Sequence, residues 1–194
     1  MIRVEALTGD ALDAVLDDVA RLRIEVFRAF PYLYDGSLDY ERRYIANYRN
    51  SESAIVVGAF DGKRLVGAAT GTPMEDHSDG FALPFGKTQY RLEDIFYCAE
   101  SVLLPDYRGQ GIGHKFFDER EAHGRRLGRK YSAFCGVIRP ENHPLRPDDY
   151  RPLDPFWRKR GYASLGGVIA EFSWQDVDQP EPTDKSLQFW LRKL

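Results

Sequence analysis

The sequence predicts a mixed α/β fold, with a central mixed sheet flanked by helices, in a single domain over residues 1–194. Apolar residues at helical spacing alternate along the chain with short apolar runs of the kind that form strands. The 194 residues are 43% hydrophobic and 29% charged, which is ordinary for a globular protein and excludes a fibrous or disordered chain. The length suits one domain, and the sequence contains no internal repeats.

The first half of the chain predicts a strand, two helices and a hairpin. Helices are predicted where apolar residues recur at i, i+3 and i+4, and an Asp-Gly pair between two apolar runs is a strong hairpin signal. In chain order we expect a strand at residues 2–7, a helix with Asp10 as its N-cap, a helix at about 38–49, and strands at Ala54–Phe60 and Leu65–Thr72 around Asp61-Gly62.

The second half begins with a polar stretch from Pro73 to Glu93 that is punctuated by glycine and proline. A regular helix is not expected in the later proline-rich segment, because proline removes a backbone donor. In chain order we expect a strand at Ile95–Leu104, a helix at 113–127, a strand at Tyr131–Ile138, a proline-rich excursion at 142–155, a short helix at Phe156–Arg160, and strands at Val168–Trp174 and Leu187–Leu191.

The net charge of −3 conceals a division along the chain. Residues 1–107 carry 11 basic and 18 acidic side chains, whereas residues 108–160 carry 13 basic and 7 acidic ones. A basic middle segment could meet phosphate, nucleic acid or solvent. Because its basic residues are interspersed with acidic ones, we expect no nucleic-acid partner.

The sequence predicts a cytoplasmic, metal-free protein with no membrane partner. The longest apolar runs, such as Ala54–Phe60, are far shorter than the roughly 20 residues that a membrane span needs. The amino terminus has no apolar signal region. Cys98 and Cys135 lie in apolar runs and are expected to be free thiols, and the four histidines have no metal-ligand spacing.

A glycine-rich turn between a strand and a helix is the most informative segment. It contains Arg108-Gly109-Gln110-Gly111-Ile112-Gly113. A helix N-terminus leaves about four backbone N–H groups without partners and carries partial positive charge, so it can bind phosphate. Glycines let the backbone approach a ligand, and arginine adds a permanent charge. The segment therefore predicts a phosphate loop, although it matches neither a Walker loop nor a Rossmann fingerprint.

The loop resembles the pyrophosphate loop of the GNAT family of acyl-CoA-dependent N-acetyltransferases, in the form Arg108-x-x-Gly111-x-Gly113. Phe156-Trp157-Arg158-Lys159-Arg160-Gly161-Tyr162 is similar to that family's late helix and turn, and the order of elements agrees over essentially the whole chain. The resemblance implies the GNAT acyl-CoA N-acyltransferase fold and acetyl-CoA as co-substrate. It implies cofactor contacts from Val102, Leu103, Leu104, Arg108, Gly109, Gln110, Gly111, Ile112, Gly113 and Asn142.

Glu100 is the single carboxylate in the largely apolar strand Ile95–Leu104. Burying an ionised carboxylate is costly, so Glu100 is expected to find a cation or to have its pKa raised toward neutrality. A raised pKa suits a general base, and the alternative is a structural salt bridge with an arginine. Together with the family resemblance, this makes Glu100 the predicted catalytic base.

The residue that protonates the departing thiolate departs from the family pattern, because Trp157 stands where the family often has a tyrosine. An indole has no suitable acidic proton. Tyr150, in the proline-rich excursion, is the predicted replacement. Tyr162 and solvent are the alternatives.

The acceptor site is expected in the loops that build it in the family. These loops carry the aromatic and acidic residues Tyr32, Tyr34, Asp35 and Glu75, which would suit a cationic amine. Ordinary polar loops are the alternative.

The leading hypothesis is an enzyme that transfers an acetyl group to a small amine by direct attack in a ternary complex. A backbone N–H near Leu103 would polarise the thioester carbonyl. The second hypothesis is a non-catalytic acyl-CoA sensor or scaffold of the same fold. In either case the chain could form a homodimer.

Overall fold

The computed structural model describes residues 2–77 and 79–194, without the side chain of Asp79. A seven-stranded sheet runs through it in the order β1-β2-β3-β4-β5-β7-β6. The strands are β1 (Arg3–Leu7), β2 (Ile55–Asp61), β3 (Arg64–Pro73), β4 (Ile95–Leu103), β5 (Tyr131–Val137), β6 (Ala163–Trp174) and β7 (Thr183–Lys193). β4 and β5 are parallel, and the other neighbouring strands are antiparallel. The predicted mixed α/β fold is confirmed.

Helices cover both faces of this sheet. The helices are α1 (Gly9–Asp13), α2 (Leu16–Phe27), α3 (Leu38–Asn50), α4 (Asp79–Ala82), α5 (Ile112–Arg126) and α6 (Asp154–Lys159), with 3-10 turns at Met74–Asp76, Leu83–Lys87, Leu92–Asp94 and Pro105–Tyr107. Thr70 of β3 directs its hydroxyl toward α3, whereas a Cβ added at Gly67 would lie 3.2 Å from Phe116 of α5, so the two helices pack on opposite faces.

Most predicted elements are present within one or two residues of their expected bounds, and the exceptions have local causes. The last strand begins at Thr183, four residues before the predicted Leu187, because residues 183–186 pair with residues 171–174 of β6. The first predicted helix is two helices, broken at Ala14 and Val15. Its N-cap is Thr8, so the assignment of Asp10 was wrong; Asp10 lies in the first turn, where its negative charge suits the helix dipole. β6 begins five residues before the predicted strand, because a register shift between Ser164 and Ile169 accommodates residues 165–168.

The central strands β2 and β3 are almost wholly buried, which explains their continuous apolar sequence. The proline-rich excursion has no regular structure until α6 begins at Asp154, as predicted. The sheet therefore fixes β4 and β5 at its centre, and the connections at their carboxyl ends carry the candidate site.

Candidate functional site

A gap opens in the sheet between the parallel strands β4 and β5. The two strands are paired over only three residues each, ending at Tyr97 opposite Ala133. Beyond this point β4 continues to Leu103 paired with β3, and β5 continues to Val137 paired with β7. The facing edges therefore offer backbone N–H and C=O groups to an extended ligand.

A β-bulge lies in β4 where this gap begins. The pairing of β3 with β4 shifts between Ala69 and Gly71, so Ala99 and Glu100 stand opposite Thr70 alone. A bulge of this kind re-aims the side chains around it. Here the Glu100 side chain reaches α2 and α3, and Ser101 contacts α5 on the other face.

The carboxylate of Glu100 is buried and has four donors. Arg23 Nη1 lies 2.6 Å from Oε1, and the Tyr44 hydroxyl donates to the same oxygen at 2.7 Å. The Tyr48 hydroxyl donates to Oε2 at 2.6 Å, and the Thr70 hydroxyl donates to that oxygen as well. An ionised carboxylate has about four acceptor positions. All of those on Glu100 are therefore occupied by the protein itself.

Arg23 joins this carboxylate to a second one. Its Nε donates to Glu41, which is fully buried. Its guanidinium carbon also lies 4.4 Å from the ring centroid of Tyr44 and 5.1 Å from that of Phe27. The Arg23 side chain thus links α2, α3 and β4 through charge and packing together.

These contacts decide the ionisation of Glu100. Burial alone would raise its pKa, but the Arg23 charge and the hydroxyl donors outweigh burial and lower the pKa of Glu100 to about 2. The expectation of a raised pKa is therefore wrong. The alternative, a structural salt bridge with an arginine, is confirmed.

The glycine-rich loop has the geometry expected of an anion site. Gly109 and Gly111 have φ of 76° and 78°, a conformation that favours glycine, and Gly111 is the N-cap of α5. In the described part of the chain, the N–H groups of residues 109–113 donate to no backbone carbonyl; the first such bond comes from His114 to the Gly111 carbonyl. A Cβ at Gly109 or Gly111 would meet no atom within 4 Å. The loop backbone is therefore open to a phosphate.

The other predicted cofactor residues fall on both sides of this loop. Val102 and Leu103 end β4 beside the gap, and Leu104 follows the strand with its N–H bonded to the Val66 carbonyl at 3.0 Å. Arg108 Nε donates to the Leu103 carbonyl at 3.2 Å. Asn142 is exposed in the proline-rich excursion.

Tyr32 is held by residues at the carboxyl ends of β5 and β6. Its carbonyl accepts from Arg139 Nη2 at 2.7 Å and from Trp174 Nε1 at 3.0 Å. Its ring lies 4.4 Å from that of Phe27, and burial, with a nearby Cys135 thiol, raises the pKa of its hydroxyl. Arg139 is itself fixed by two bonds to Asp176.

The other predicted acceptor residues are not all brought together. Tyr34 is bridged to Asp176 beside Tyr32, and Asp35 is exposed and pairs with Arg28 at 2.7 Å. Glu75 instead pairs with Arg129 at 2.7 Å, near the beginning of β4 rather than at the gap.

The candidate proton donors differ in their surroundings. Tyr150 packs edge-on against Phe30 at 4.7 Å, and burial raises its pKa. The hydroxyl of Tyr162 is buried and donates to Glu121 at 3.1 Å. The Trp157 indole packs on β5, where a Cβ at Gly136 would lie 2.9 Å from it.

Several residues of the site have no signal in sequence. In the sequence Arg23, Tyr44 and Tyr48 have the pattern of ordinary helix residues. The one available signal is the spacing of three and four residues that places Glu41, Tyr44 and Tyr48 along one face of α3. His77 is buried edge-on against the ring of Tyr97, at a centroid distance of 4.9 Å, and burial lowers its pKa to about 4.

Other predictions concern cysteines, metals and membranes. Cys98 and Cys135 are free thiols, as expected, and burial raises the pKa of Cys135 to about 12. Within residues 2–77 and 79–194, no group of three or more His, Cys, Asp or Glu side chains is placed to hold a metal ion. Over the same ranges, no helix is long and apolar enough to cross a membrane.

Comparison with known proteins places this geometry in a family. The model of the acetyltransferase (GNAT) family matches residues 18–147. No curated protein matches the chain in sequence.

Solved structures share the fold over the whole chain. A ribosomal-protein-alanine N-acetyltransferase from Brucella melitensis is 15% identical, with a TM-score of 0.60 and coverage of 99% of both chains. The Salmonella typhimurium protein yncA, solved with its cofactor acetyl-CoA, is 12% identical, with a TM-score of 0.60 and coverage of 99% of this chain and 94% of that one. A GNAT-family acetyltransferase from Streptococcus pneumoniae is 11% identical, with a TM-score of 0.60 and full coverage of both chains.

Proposed function

The chain belongs to the GNAT acetyltransferase family, and from that premise we propose that it transfers an acetyl group from acetyl-CoA to the amine of a small acceptor. In the proposed reaction the amine attacks the thioester directly while both substrates are bound. The observation that carries the proposal is the junction of an open glycine loop with the gap between β4 and β5.

The residues present fit acetyl-CoA. Five consecutive backbone N–H groups at the start of α5 suit a pyrophosphate, and Arg108 adds a positive charge beside them. The edge of β4 at Val102 and Leu103, with Leu104 directly after it, suits the amide-bearing arm of the cofactor, because a strand edge pairs with extended amides. A backbone N–H near Leu103 would polarise the thioester carbonyl. Asn142 is proposed as a further contact to the arm.

Glu100 has a different role in this proposal from that of a poised base. A carboxylate with a pKa of about 2 and four donors is a weak proton acceptor at neutral pH. We assign it the positioning of α2, α3 and the bulge, and the amine's proton leaves to solvent. The sequence-based predictions, Glu100 as the base and Tyr150 as the acid, stay as the untested alternative to this assignment.

The acceptor is proposed to approach over the segment that carries Tyr32, Tyr34 and Asp35. This segment is fixed by Arg139 and lies on the side of the sheet where Glu100 points. Its aromatic rings and exposed carboxylate suit a cationic amine. Glu75 is not included, because it pairs with Arg129 elsewhere.

Calorimetry of acetyl-CoA binding tests the cofactor site. Gly111→Asp puts a side chain and a negative charge into the loop, and we expect affinity to fall at least tenfold. Gly128→Asp is the matched control, because Gly128 also has a positive φ, also faces open space, and follows the far end of α5. Equal affinity of the Gly111→Asp variant and the wild type would overturn the assignment of the loop.

A second candidate function is an acyl-CoA sensor or scaffold without turnover. The observation that favours it is Trp157, which occupies the position of the usual acid and packs against β5. CoA release from acetyl-CoA with a panel of amines separates the two functions. Release that depends on an amine supports the enzyme, and tight binding without release supports the sensor.

A further inference from the structure

A fully buried guanidinium lies beneath the bulge of β4. Arg120 of α5 has 0% exposure and is the largest fully buried side chain. Within residues 2–77 and 79–194, no carboxylate lies within ion-pair distance of it. A buried charge without a counter-ion must be compensated by hydrogen bonds, so the acceptors around Arg120 decide what its charge does.

Two of these acceptors are backbone carbonyls on either side of the bulge. Arg120 Nη1 donates to the carbonyls of Thr70 and Glu100, each at 3.1 Å. Its Nε donates to the Phe116 carbonyl within α5 at 3.2 Å. Arg120 therefore replaces ladder bonds that the bulge interrupts, and it ties the helix that begins at the glycine loop to β4.

The fourth acceptor is the side chain of Ser101. Arg120 Nη2 donates to Ser101 Oγ at 2.9 Å. Because that oxygen accepts from a cation, the serine's own proton points away from Arg120 and is a stronger donor than in an isolated hydroxyl. Ser101 is exposed, whereas Arg120 is not. The positive charge of the buried Arg120 therefore polarises a hydroxyl that is exposed at the surface.

Ser101 lies where the reacting group of acetyl-CoA is proposed to sit. It directly precedes Val102, on the part of β4 that has no pairing with β5. It contacts the α5 side of the sheet, and Trp157 is on that same side, since Phe134 contacts both Trp157 and Phe117 of α5. Ser101 therefore lies on the same side of the sheet as Trp157, which has no acidic proton to give to a departing thiolate.

We propose that Ser101, polarised by Arg120, donates a hydrogen bond to the thioester sulfur and stabilises negative charge there as the thiolate leaves. The inference rests on the proposed function. The amine nitrogen forms the new bond to the acetyl carbon, and the electron pair of the breaking C–S bond goes to sulfur. Ser101 keeps its proton, and the thiolate takes up the proton that the amine releases to solvent.

The test measures the pKa of the thiol of bound CoA, by the ultraviolet absorbance of the thiolate during a pH titration. A charge-assisted donor favours the thiolate, so binding to the wild type is expected to lower the thiol pKa. Ser101→Ala is expected to return it toward the value of free CoA by about one unit, a tenfold change in ionisation. With acetyl-CoA and a reactive amine, kcat is expected to fall about 10- to 100-fold with KM for acetyl-CoA little changed.

Ser164→Ala is the matched control, because Ser164 is also an exposed strand residue and lies on β6. Ser101→Ala removes one acceptor of Arg120 but leaves the three backbone carbonyls, so the variant is expected to be less stable yet folded, which thermal unfolding verifies. If the thiol of CoA has the same pKa when bound to Ser101→Ala as when bound to the wild type, this inference is overturned and the proposed function still stands. Failure of the wild type to bind CoA at all would overturn the proposed function, and this inference with it.

Discussion

The glycine loop at residues 108–113 follows the carboxyl end of β4, the buried network is centred on Glu100 within that strand, and the two are built in opposite ways. The loop is exposed at residues 108–111 and offers backbone N–H groups, so its chemistry depends on conformation more than on side chains. The network is buried and consists of side chains from α2, α3, β3 and β4. The loop is therefore suited to a ligand, whereas the network is already satisfied by its own residues.

The largest expected effect is a loss of stability when the buried network, rather than a surface ion pair, loses its arginine. Arg23→Met leaves Glu41 and Glu100 buried without their cation, and we expect the free energy of unfolding to fall by about 3–5 kcal/mol. Urea denaturation measures this change. Arg21→Met is the control, because Arg21 pairs with Asp18 on the exposed surface and is expected to cost less than about 1 kcal/mol. Equal losses in the two variants would show that the network carries no special stability.

The difference between loop and network also explains what the sequence could predict. The loop, β4 and α5 were predictable because strand, glycines and helix are contiguous, so local spacing carries their signal. The partners of Glu100 come from residues 23, 44, 48 and 70, and nothing in one sequence relates positions so far apart. The bulge at Ala99 and Glu100 was equally hidden, because it depends on the register with β3.

The sequence left two alternatives open for Glu100, a salt bridge or a raised pKa, and it could not choose the salt bridge because Arg23 is distant in sequence. The isolation of Glu100 among apolar residues indicated burial, which alone raises a carboxyl pKa. The salt bridge from Arg23 reverses the sign of the shift. A lone carboxylate in an apolar strand therefore indicates a partner as readily as a base.

The second expected effect is on the pH dependence of stability. The folded-state pKa of Glu100, about 2, lies below its ordinary value of 4.5, so its contribution is present above about pH 5 and is lost as the pH falls toward 2. That contribution is on the order of 3 kcal/mol. In Glu100→Gln, chemical denaturation across this range is expected to show a pH dependence smaller by that amount. Identical pH profiles would contradict the lowered pKa.

The same variant sharpens the assignment of function. If Glu100 is a positioning residue, Glu100→Gln is expected to lower stability while a folded variant keeps kcat within about tenfold of the wild type. If Glu100 is the general base, kcat is expected to fall about 100-fold or more at every pH in the range, because a carboxyl with a pKa of about 2 is ionised throughout it. Steady-state rates with one reactive amine between pH 6 and 9 distinguish these results.

The smallest expected effect concerns the loop's single arginine. Arg108 is exposed, so Arg108→Ala is expected to leave the free energy of unfolding within about 0.5 kcal/mol of the wild-type value. Affinity for acetyl-CoA is expected to fall about threefold to tenfold, and less at high salt, because an exposed charge is screened. Calorimetry at two salt concentrations measures both. A loss that does not change with salt would indicate that Arg108 acts through its bond to the Leu103 carbonyl instead.

Hydrogen–deuterium exchange with and without CoA tests most directly the claim that the loop binds ligand while the network is complete without it. The amides of residues 109–113 donate to no backbone carbonyl, so they are expected to exchange quickly in the free protein and to become protected by CoA. The amides of α3 around Tyr44 and Tyr48 are expected to be protected in both states. Unchanged exchange in the loop, with new protection confined to α3, would contradict the account.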